Sequence, residues 1–343
     1  MKALRFYGKR DIRLEEIPKP IPKEEEVLLK VTDAGISQTQ INEFMDGPFL
    51  INSEPHPLTG KKIPIVPSQE YGGIIVADHL GSKNDPVGKM AAVLPLISCG
   101  RCEYCEQKKE NLCQNLAYRG LLGADGGFCE FSAVKRENLF FTQKRELLTF
   151  IEPLAVAVHA AKTVKKLIDL RNSEVLILGA GAVGISVAAY FEQIEGAKVY
   201  ISEILSTRKA KAKEAGFETL AKKEIKKSFD LVVDAAGTDP ITQKPAITEG
   251  FAYLKRGAPL LNLGSYFHPV SFVPAYILVN ENSLIESMAY DSEDIEKLKR
   301  EIDNIKTDFS IFIERIPLKD IVNKGYLRAE VAKESFTRLV VEP

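Results

Sequence analysis

The chain has 343 residues, 45% of them hydrophobic and 27% charged, a composition typical of a globular protein of about two domains. Its 46 lysines and arginines nearly balance its 47 aspartates and glutamates, so its charge favours neither nucleic acid nor an acidic membrane as a partner. The N-terminus lacks the apolar core of a secretion signal, and we therefore expect a cytoplasmic protein.

The first 150 residues predict a β-rich domain. Proline and glycine are frequent there, and few stretches have the apolar spacing of a long helix. Short apolar runs at Ala3–Phe6 and Val27–Val31 predict strands. We therefore expect residues 1–150 to form one domain.

Four cysteines in this domain have the spacing C-x2-C-x2-C-x7-C: Cys99, Cys102, Cys105 and Cys113. Four thiolates so close in sequence can complete a tetrahedral shell, and they predict one structural zinc ion per chain. An iron–sulfur cluster is one alternative, but its usual pattern has a last gap of three residues and ends in proline, whereas Gln114 follows here. A disulfide framework is the other alternative, and it requires an oxidising compartment.

A strand, a glycine-rich turn and a helix are predicted between Val175 and about Glu192. The apolar run Val175–Leu178 is typical of a strand buried in a parallel sheet. The turn has the pattern G-x-G-x-x-G, which allows a tight bend and a close approach of backbone N–H groups to a pyrophosphate. These glycines also argue against a membrane span in this uncharged run. The predicted cofactor-binding residues here are Gly179, Gly181, Ala182, Val183 and Gly184.

Strands and helices continue to alternate after this turn. Strands are predicted at 198–202, 231–234, 259–263 and 283–288, and helices at 206–215 and 292–305. This alternation predicts an α/β, doubly wound Rossmann sheet over residues 151–289. Two further strands, at 316–318 and 338–341, are expected to return to the first domain. A Rossmann-like sheet without a ligand is the alternative.

The choice of dinucleotide depends on two residues after the second strand of this sheet. Glu203 lies nineteen residues after Gly184, where a carboxylate would accept hydrogen bonds from the adenosine ribose and repel a 2′-phosphate. NAD is therefore favoured over NADP. Arg208 lies close enough in sequence to keep NADP as an alternative.

The whole chain resembles the zinc-dependent medium-chain dehydrogenase family, particularly its butanediol, sorbitol and threonine dehydrogenase branch. The resemblance is carried by residues 2–16, the insertion at 46–60, the cysteine run at 99–113, and Ile-Glu-Pro-Leu-Ala-Val-Ala-Val-His at 151–159. It implies a GroES-like catalytic domain completed by residues 290–343, a Rossmann domain, and a homodimer or homotetramer. It also implies NAD-dependent hydride transfer to or from a small alcohol, polyol or carbonyl compound.

The chain departs from the family pattern where the family binds its catalytic zinc. Family members read Gly-Ile-Cys-Gly-Thr-Asp-x-His, and the matching segment places Ser37 at the thiolate position. Gln69 replaces the histidine of the family's Gly-His-Glu. The resemblance implies roles for three retained residues: Thr39 in passing on the alcohol proton, and Glu70 and Glu152 as carboxylates at or near the zinc.

These departures predict a catalytic site without a normal zinc ion. A neutral hydroxyl and an amide oxygen hold zinc far less well than a thiolate and an imidazole. Two carboxylates and two neutral oxygens would suit a harder ion, such as magnesium or calcium, if they bind any metal. Without a metal, two neighbouring carboxylates would share a proton, and one of their pKa values would rise.

The sequence thus predicts an NAD-dependent oxidoreductase of the alcohol or polyol dehydrogenase type with a modified mechanism. The alternatives are a zinc-independent reductase of an activated C=C or C=N bond, a metal-dependent dehydrogenase with unusual ligands, and a non-catalytic NAD-binding protein. In the last case the residues Ser37, Gln69 and the two glutamates would form only a hydrogen-bonded cluster.

Overall fold

The computed structural model describes residues 1–79, 86–238, 244–331 and 336–343. The chain forms two compact units. The first comprises Met1–Glu152, Ile313–Ala332 and Arg338–Pro343, and the second comprises Pro153–Phe312 and Lys333–Thr337.

Strands and helices are numbered here in chain order. The strands are β1 (Lys2–Gly8), β2 (Asp11–Glu16), β3 (Glu26–Gly35), β4 (Tyr71–Asp78), β5 (Met90–Val93), β6 (Leu96–Ile97), β7 (Ala117–Arg119), β8 (Gly123–Ala124), β9 (Phe131–Lys135), β10 (Leu139–Phe141), β11 (Glu174–Leu178), β12 (Lys198–Ser202), β13 (Glu218–Leu220), β14 (Leu231–Asp234), β15 (Pro259–Asn262), β16 (Ser283–Glu286), β17 (Ile313–Pro317) and β18 (Arg338–Glu342). The helices are α1 (Gln38–Met45), α2 (Glu103–Glu106), α3 (Ile151–Val164), α4 (Ala182–Gln193), α5 (Ser206–Glu214), α6 (Ala246–Gly250), α7 (Pro274–Asn280), α8 (Ser292–Glu301) and α9 (Arg328–Val331).

The first unit is built around a seven-stranded sheet. Its order is β10-β5-β4-β3-β18-β17, and β9 pairs with β3 in addition. Strand β3 is central because most of its side chains are buried, and it pairs antiparallel with β4, β9 and β18. The C-terminal strands β17 and β18 join this sheet, so the end of the chain lies beside β3.

A second, three-stranded sheet in the first unit carries the cysteine segment. Strand β7 pairs antiparallel with β6 and parallel with β8. The four-cysteine segment begins directly after β6 and ends shortly before β7. The two strands therefore hold both ends of this segment, which we call the cysteine lobe (residues 99–113).

The second unit contains a six-stranded parallel sheet in the order β13-β12-β11-β14-β15-β16. This is the strand order of a dinucleotide-binding Rossmann fold. The strands predicted at 198–202 and 231–234 are confirmed residue for residue. On one side of the sheet Leu176, Tyr200 and Val232 pack in a buried core with Phe229 and Leu260. The predicted α/β class is confirmed.

The helices of the second unit differ in how much of their surface is buried. Helix α4 follows the glycine turn as predicted, and eight of its residues are buried. Helix α7 has the apolar sequence Pro-Ala-Tyr-Ile-Leu-Val-Asn but contains no buried residue. Within the described part of the chain, no helix has both the length and the apolar character needed to cross a bilayer.

Candidate functional site

Ser37, at the predicted thiolate position, forms the N-cap of helix α1. Its Oγ accepts a hydrogen bond from the backbone N–H of Gln40 (3.2 Å), and the Gln40 side chain accepts one from the backbone N–H of Ser37 (3.3 Å). This reciprocal pair is a capping box, which satisfies two backbone donors at the start of the helix. The serine hydroxyl is therefore engaged in holding the local fold.

Gln69, at the predicted imidazole position, connects the cap to a carboxylate. Its Oε1 accepts hydrogen bonds from Gln40 Nε2 (2.8 Å) and from Ser37 Oγ (3.4 Å). Its Nε2 donates to Oε1 of Glu70 (3.2 Å). All four side chains are buried. The structure thus brings Ser37, Gln69 and Glu70 together, as the motif match predicts.

Glu70 is paired with an arginine that the sequence interpretation does not include. The guanidinium of Arg338, at the start of β18, donates to Oε2 of Glu70 and to the carbonyl oxygen of Thr149 (2.6 Å). Both charged side chains are only 4% exposed. Gly35 makes room for this pair, because a Cβ at that position would collide with the guanidinium. The charge of Glu70 is therefore balanced within the protein.

Glu152 lies at the start of helix α3 and accepts a hydrogen bond from the hydroxyl of Tyr118 (2.7 Å). Burial, together with repulsion from Glu70, raises the pKa of the Glu152 carboxyl to about 8. The Tyr118 hydroxyl and the charge of Arg338 act in the opposite direction. At neutral pH Glu152 is therefore mainly a neutral acid, as expected for one of two neighbouring carboxyls without a metal.

These side chains do not suit a catalytic zinc ion. Zinc needs free thiolate, imidazole or carboxylate donors. Here Ser37 and Gln69 supply neutral oxygens that are already hydrogen-bonded, and the guanidinium of Arg338 contacts the carboxylate of Glu70. Among the described residues, the groups of three or more metal-ligating side chains lie elsewhere.

Two further candidates in the first unit are separate from this cluster of polar side chains. Thr39 is half-buried in the first turn of α1, and among the described residues its hydroxyl makes none of the hydrogen bonds of the cluster. His56, a possible base in the insertion, has Nε2 3.0 Å from the carbonyl oxygen of Leu116, while Nδ1 accepts from the N–H of Leu58. Its two ring nitrogens hold loops together.

The four predicted zinc ligands converge in the cysteine lobe. The sulfur atoms of Cys99, Cys102, Cys105 and Cys113 all lie within 4.8 Å of one another. The backbone N–H of Cys99 also donates to the sulfur of Cys113 (3.2 Å). Four sulfurs at this separation fit one tetrahedral zinc ion and leave no position for a substrate.

A second group of possible metal ligands lies in the second unit, where His159 Nδ1 is 2.6 Å from Oδ2 of Asp294 and Asp291 lies nearby. The ammonium of Lys162 contacts Asp291 (2.7 Å) and Glu293 (3.0 Å). This lysine already balances the acidic charge, so the group is an ion-pair network.

The glycine turn of the second unit has the shape required to hold a pyrophosphate. Gly179 has a φ of +97°, and a Cβ on Gly184 would collide with the carbonyl oxygen of Gly179. Gly181 is the N-cap of α4, and a Cβ there would have only Arg208 Nη1 near it, at 3.9 Å. The open space and the N-terminus of the helix, where Ala182 and Val183 lie, fit a bound phosphate group.

Glu203 lies at the end of β12 and is linked directly to this turn. Its Oε2 accepts a hydrogen bond from the backbone N–H of Ala180 (2.8 Å), and its Oε1 accepts from Leu205 (2.8 Å). Arg208 is half-buried, with its guanidinium carbon 5.8 Å from the centre of the Phe336 ring. Each carboxylate oxygen of Glu203 keeps a second lone pair for a ribose hydroxyl.

Three residues of the cluster in the first unit were missed by sequence reasoning: Gln40, Tyr118 and Arg338. Gln40 follows a serine by three positions, so the capping-box pattern could have indicated it. No local pattern distinguishes Tyr118 or Arg338. Both reach the cluster only through tertiary contacts with residues far away in the sequence.

Two family models match the chain. The model described as alcohol dehydrogenase GroES-like domain matches residues 23–144. The model described as the NAD binding domain of D-isomer specific 2-hydroxyacid dehydrogenases matches residues 150–265. Among curated proteins, (R,R)-butanediol dehydrogenase of Neisseria gonorrhoeae is 30% identical over 362 aligned residues, which cover 100% of this chain and 99% of that protein.

Solved structures show the same fold. The crystal structure of 2R,3R-butanediol dehydrogenase from Bacillus subtilis has a TM-score of 0.82 at 23% identity, over 100% of this chain and 99% of that one. The alcohol dehydrogenase RspB of Escherichia coli, in complex with NADH, has a TM-score of 0.83 at 22% identity with the same coverage. The predicted combination of a GroES-like domain and a Rossmann domain is confirmed.

Proposed function

The chain belongs to the zinc-type medium-chain dehydrogenase/reductase family, and we propose that it is a member in which Glu152, and not a zinc ion, handles the substrate proton. It is an NAD-dependent oxidoreductase of the alcohol and polyol dehydrogenase type. Since the Neisseria relative is named for butanediol, a vicinal diol and the corresponding hydroxyketone are the proposed substrates.

The observation that carries this proposal is the protonation state of Glu152. Zinc enzymes make an alcohol acidic by coordinating its oxygen. Here a buried carboxyl with a pKa of about 8 can exchange a proton near neutral pH. Its neighbour Glu70 stays charged against Arg338, and so repels a second negative charge on Glu152.

The proposed reaction needs only a few groups of this chain. Bound NAD supplies the hydride acceptor. Glu152, as the carboxylate, accepts the alcohol proton during oxidation, and as the neutral acid it returns a proton to the carbonyl oxygen during reduction. Ser37, Thr39, Gln69 and Glu70 are proposed to line the same site and orient the substrate.

Diol oxidation by the purified protein tests this proposal. We expect NAD reduction with a panel of vicinal diols to be unchanged after a chelator removes loosely bound metal. The double variant Ser37→Cys/Gln69→His restores the family ligands, so we expect it to bind a second zinc equivalent. Rates and metal content are measured on both proteins, before and after chelation.

The wild type serves as the control for the double variant in this test. A wild-type oxidation rate that chelation abolishes would show that Ser37 and Gln69 hold a catalytic metal. A double variant that binds no second zinc would show that the site has lost the zinc geometry of the family.

The glycine turn is proposed to bind the pyrophosphate of NAD through Gly179, Gly181, Ala182, Val183 and Gly184. Glu203 is proposed to bind the adenosine ribose, with Arg208 beside it. The contact between Glu203 and the N–H of Ala180 supports this, because it places the carboxylate next to the turn.

NADH should bind more tightly than NADPH, since Glu203 would repel a 2′-phosphate. We expect a ratio of dissociation constants of about tenfold or more, as one unfavourable charge contact is worth about 1–2 kcal/mol. Fluorescence titration with both cofactors measures the ratio. Glu203→Gln keeps the hydrogen-bond acceptor but removes the charge, so the ratio should fall; an unchanged ratio would contradict the assignment.

A homodimer or homotetramer is also proposed. Helix α7 exposes Tyr276, Leu278 and Val279 by 66–76%, which is unusual for a helix of this composition. Beside it, β16 pairs only with β15 among the described strands and ends the sheet. A second copy could cover both the edge strand and the apolar helix. A cytoplasmic location is proposed as well, because the cysteines are free thiols suited to a reducing compartment.

A further inference from the structure

Tyr118 contacts the proposed acid and base, yet no sequence motif assigns it a role. We propose that Tyr118 is a positioning residue: its hydroxyl donates to Oε1 of Glu152 and so leaves Oε2 as the oxygen that holds the exchanged proton. The inference rests on the proposed function, which makes Glu152 the proton-transfer group.

The geometry of the hydrogen bond determines which oxygen can carry the proton. The Tyr118 hydroxyl lies 2.7 Å from Oε1, and both side chains are buried, at 8% exposure each. A neutral carboxylic acid has one O–H group. With Oε1 accepting from the phenol, that O–H group lies on Oε2, and Glu152 therefore presents its proton in one direction.

The backbone around Tyr118 fixes the position of the phenol ring. In the three-stranded sheet Tyr118 pairs with Leu96 of β6 and Gly123 of β8. Its N–H donates to the carbonyl oxygen of Leu122 (2.7 Å), and its carbonyl oxygen accepts from the N–H groups of Leu121 (3.0 Å) and Leu122 (2.8 Å). Glu152 therefore meets a donor that is already ordered.

Electrostatics give the hydroxyl a second effect. A hydrogen bond to the carboxylate favours the charged form, so Tyr118 lowers the pKa of Glu152 against the effects of burial and Glu70. Without the hydroxyl, Glu152 would hold its proton to a higher pH. It would then be a carboxylate less often at the pH where alcohol oxidation needs one.

The proton and electron balance of the oxidation is complete with these groups. The alcohol O–H bond breaks and its proton goes to Oε2 of Glu152, while hydride leaves the carbon for NAD⁺. The alcohol becomes a carbonyl compound and NAD⁺ becomes NADH. Glu152 afterwards releases its proton to water, and Tyr118 keeps its own proton throughout.

A ¹³C NMR titration of protein labelled at the glutamate carboxyl carbon tests the inference without a substrate. Glu152→Gln identifies the resonance of Glu152 by its loss. We expect a midpoint near pH 8 in the wild type, and a midpoint at least about one pH unit higher in Tyr118→Phe. Tyr7→Phe, which removes the phenol–carboxylate bond to Glu15 in the β1–β2 hairpin (2.8 Å), is the matched control and should leave the midpoint unchanged.

A second variant gives the opposite sign. 3-Fluorotyrosine at position 118 is a stronger donor, so it should lower the midpoint of Glu152 while keeping the packing of the ring. With a diol and NAD at pH 8, Tyr118→Phe should lower kcat about tenfold and change KM less than twofold. Tyr7→Phe should keep the wild-type kcat.

The outcomes separate this inference from the proposed function. If Glu152→Gln removes the pH-dependent activity but neither variant at position 118 shifts the midpoint, the positioning role is wrong and Glu152 stands alone. If Glu152→Gln retains the wild-type rate and pH profile, the proposed function itself is wrong. Shifts of opposite sign in the two variants support the positioning role.

Discussion

Replacing Glu152 by glutamine will lower the rate of diol oxidation by about 10²–10⁴-fold, the usual contribution of general acid–base catalysis. Glutamine has the same shape and can still accept the hydrogen bond from Tyr118, but it cannot gain or lose a proton near neutral pH. The loss should therefore appear in kcat while the protein stays folded. Initial rates of NAD reduction and a thermal melt measure both effects.

The pH dependence gives the sign of the same effect. Because the pKa of Glu152 is raised to about 8, its carboxylate form increases as the pH rises through 8. Diol oxidation should accelerate over that range, and ketone reduction should slow. Glu43→Gln is the matched control, since Glu43 is another buried glutamate of the first unit that binds the backbone N–H groups of Phe49 and Leu50. A flat wild-type profile between pH 6 and 10 would exclude Glu152 as the proton-transfer group.

Replacing Cys102 by serine will release the structural zinc and destabilise the protein by about 4 kcal/mol or more, the range seen when a structural metal is lost. Three remaining sulfurs leave the zinc shell incomplete. Elemental analysis should find about one zinc per chain in the wild type and much less in the variant. Thermal or denaturant unfolding measures the loss of stability.

Cys129→Ala provides the control for this variant. Cys129 is buried outside the cysteine lobe, with its sulfur 3.2 Å from the carbonyl oxygen of Phe131. It should keep a full equivalent of zinc. Two tightly held zinc ions in the wild type, or zinc retained by Cys102→Ser, would contradict the assignment of the lobe.

Most of the second unit could be predicted because its strands have an unambiguous local pattern. Continuous apolar runs such as Leu231–Asp234 are buried on both faces of a parallel sheet, and glycine marks where they end. The edge strand Glu218–Leu220 was missed since it is short and none of its residues is buried. Helix α8 ends at Glu301, earlier than the predicted 305, because a 3₁₀ turn continues its apolar spacing.

The candidate site could be predicted only in part. The motif match brought Ser37, Gln69 and Glu70 to attention, and they do lie together. Arg338 was read only as part of a strand, although it contacts Glu70 across 268 positions of sequence. That contact depends on β18 pairing beside the end of β3, a long-range arrangement that no local spacing encodes.

The cap at Ser37 means that the loss of a metal ligand is a gain in conformational stability. An N-cap serine typically stabilises a helix by about 1 kcal/mol over a residue that cannot cap it. A cysteine and a histidine at positions 37 and 69 would break the capping box and its bonds to Gln69, and only bound metal would compensate. This chain therefore illustrates a stability–function trade-off: freed from ligating zinc, its site residues have become part of the scaffold.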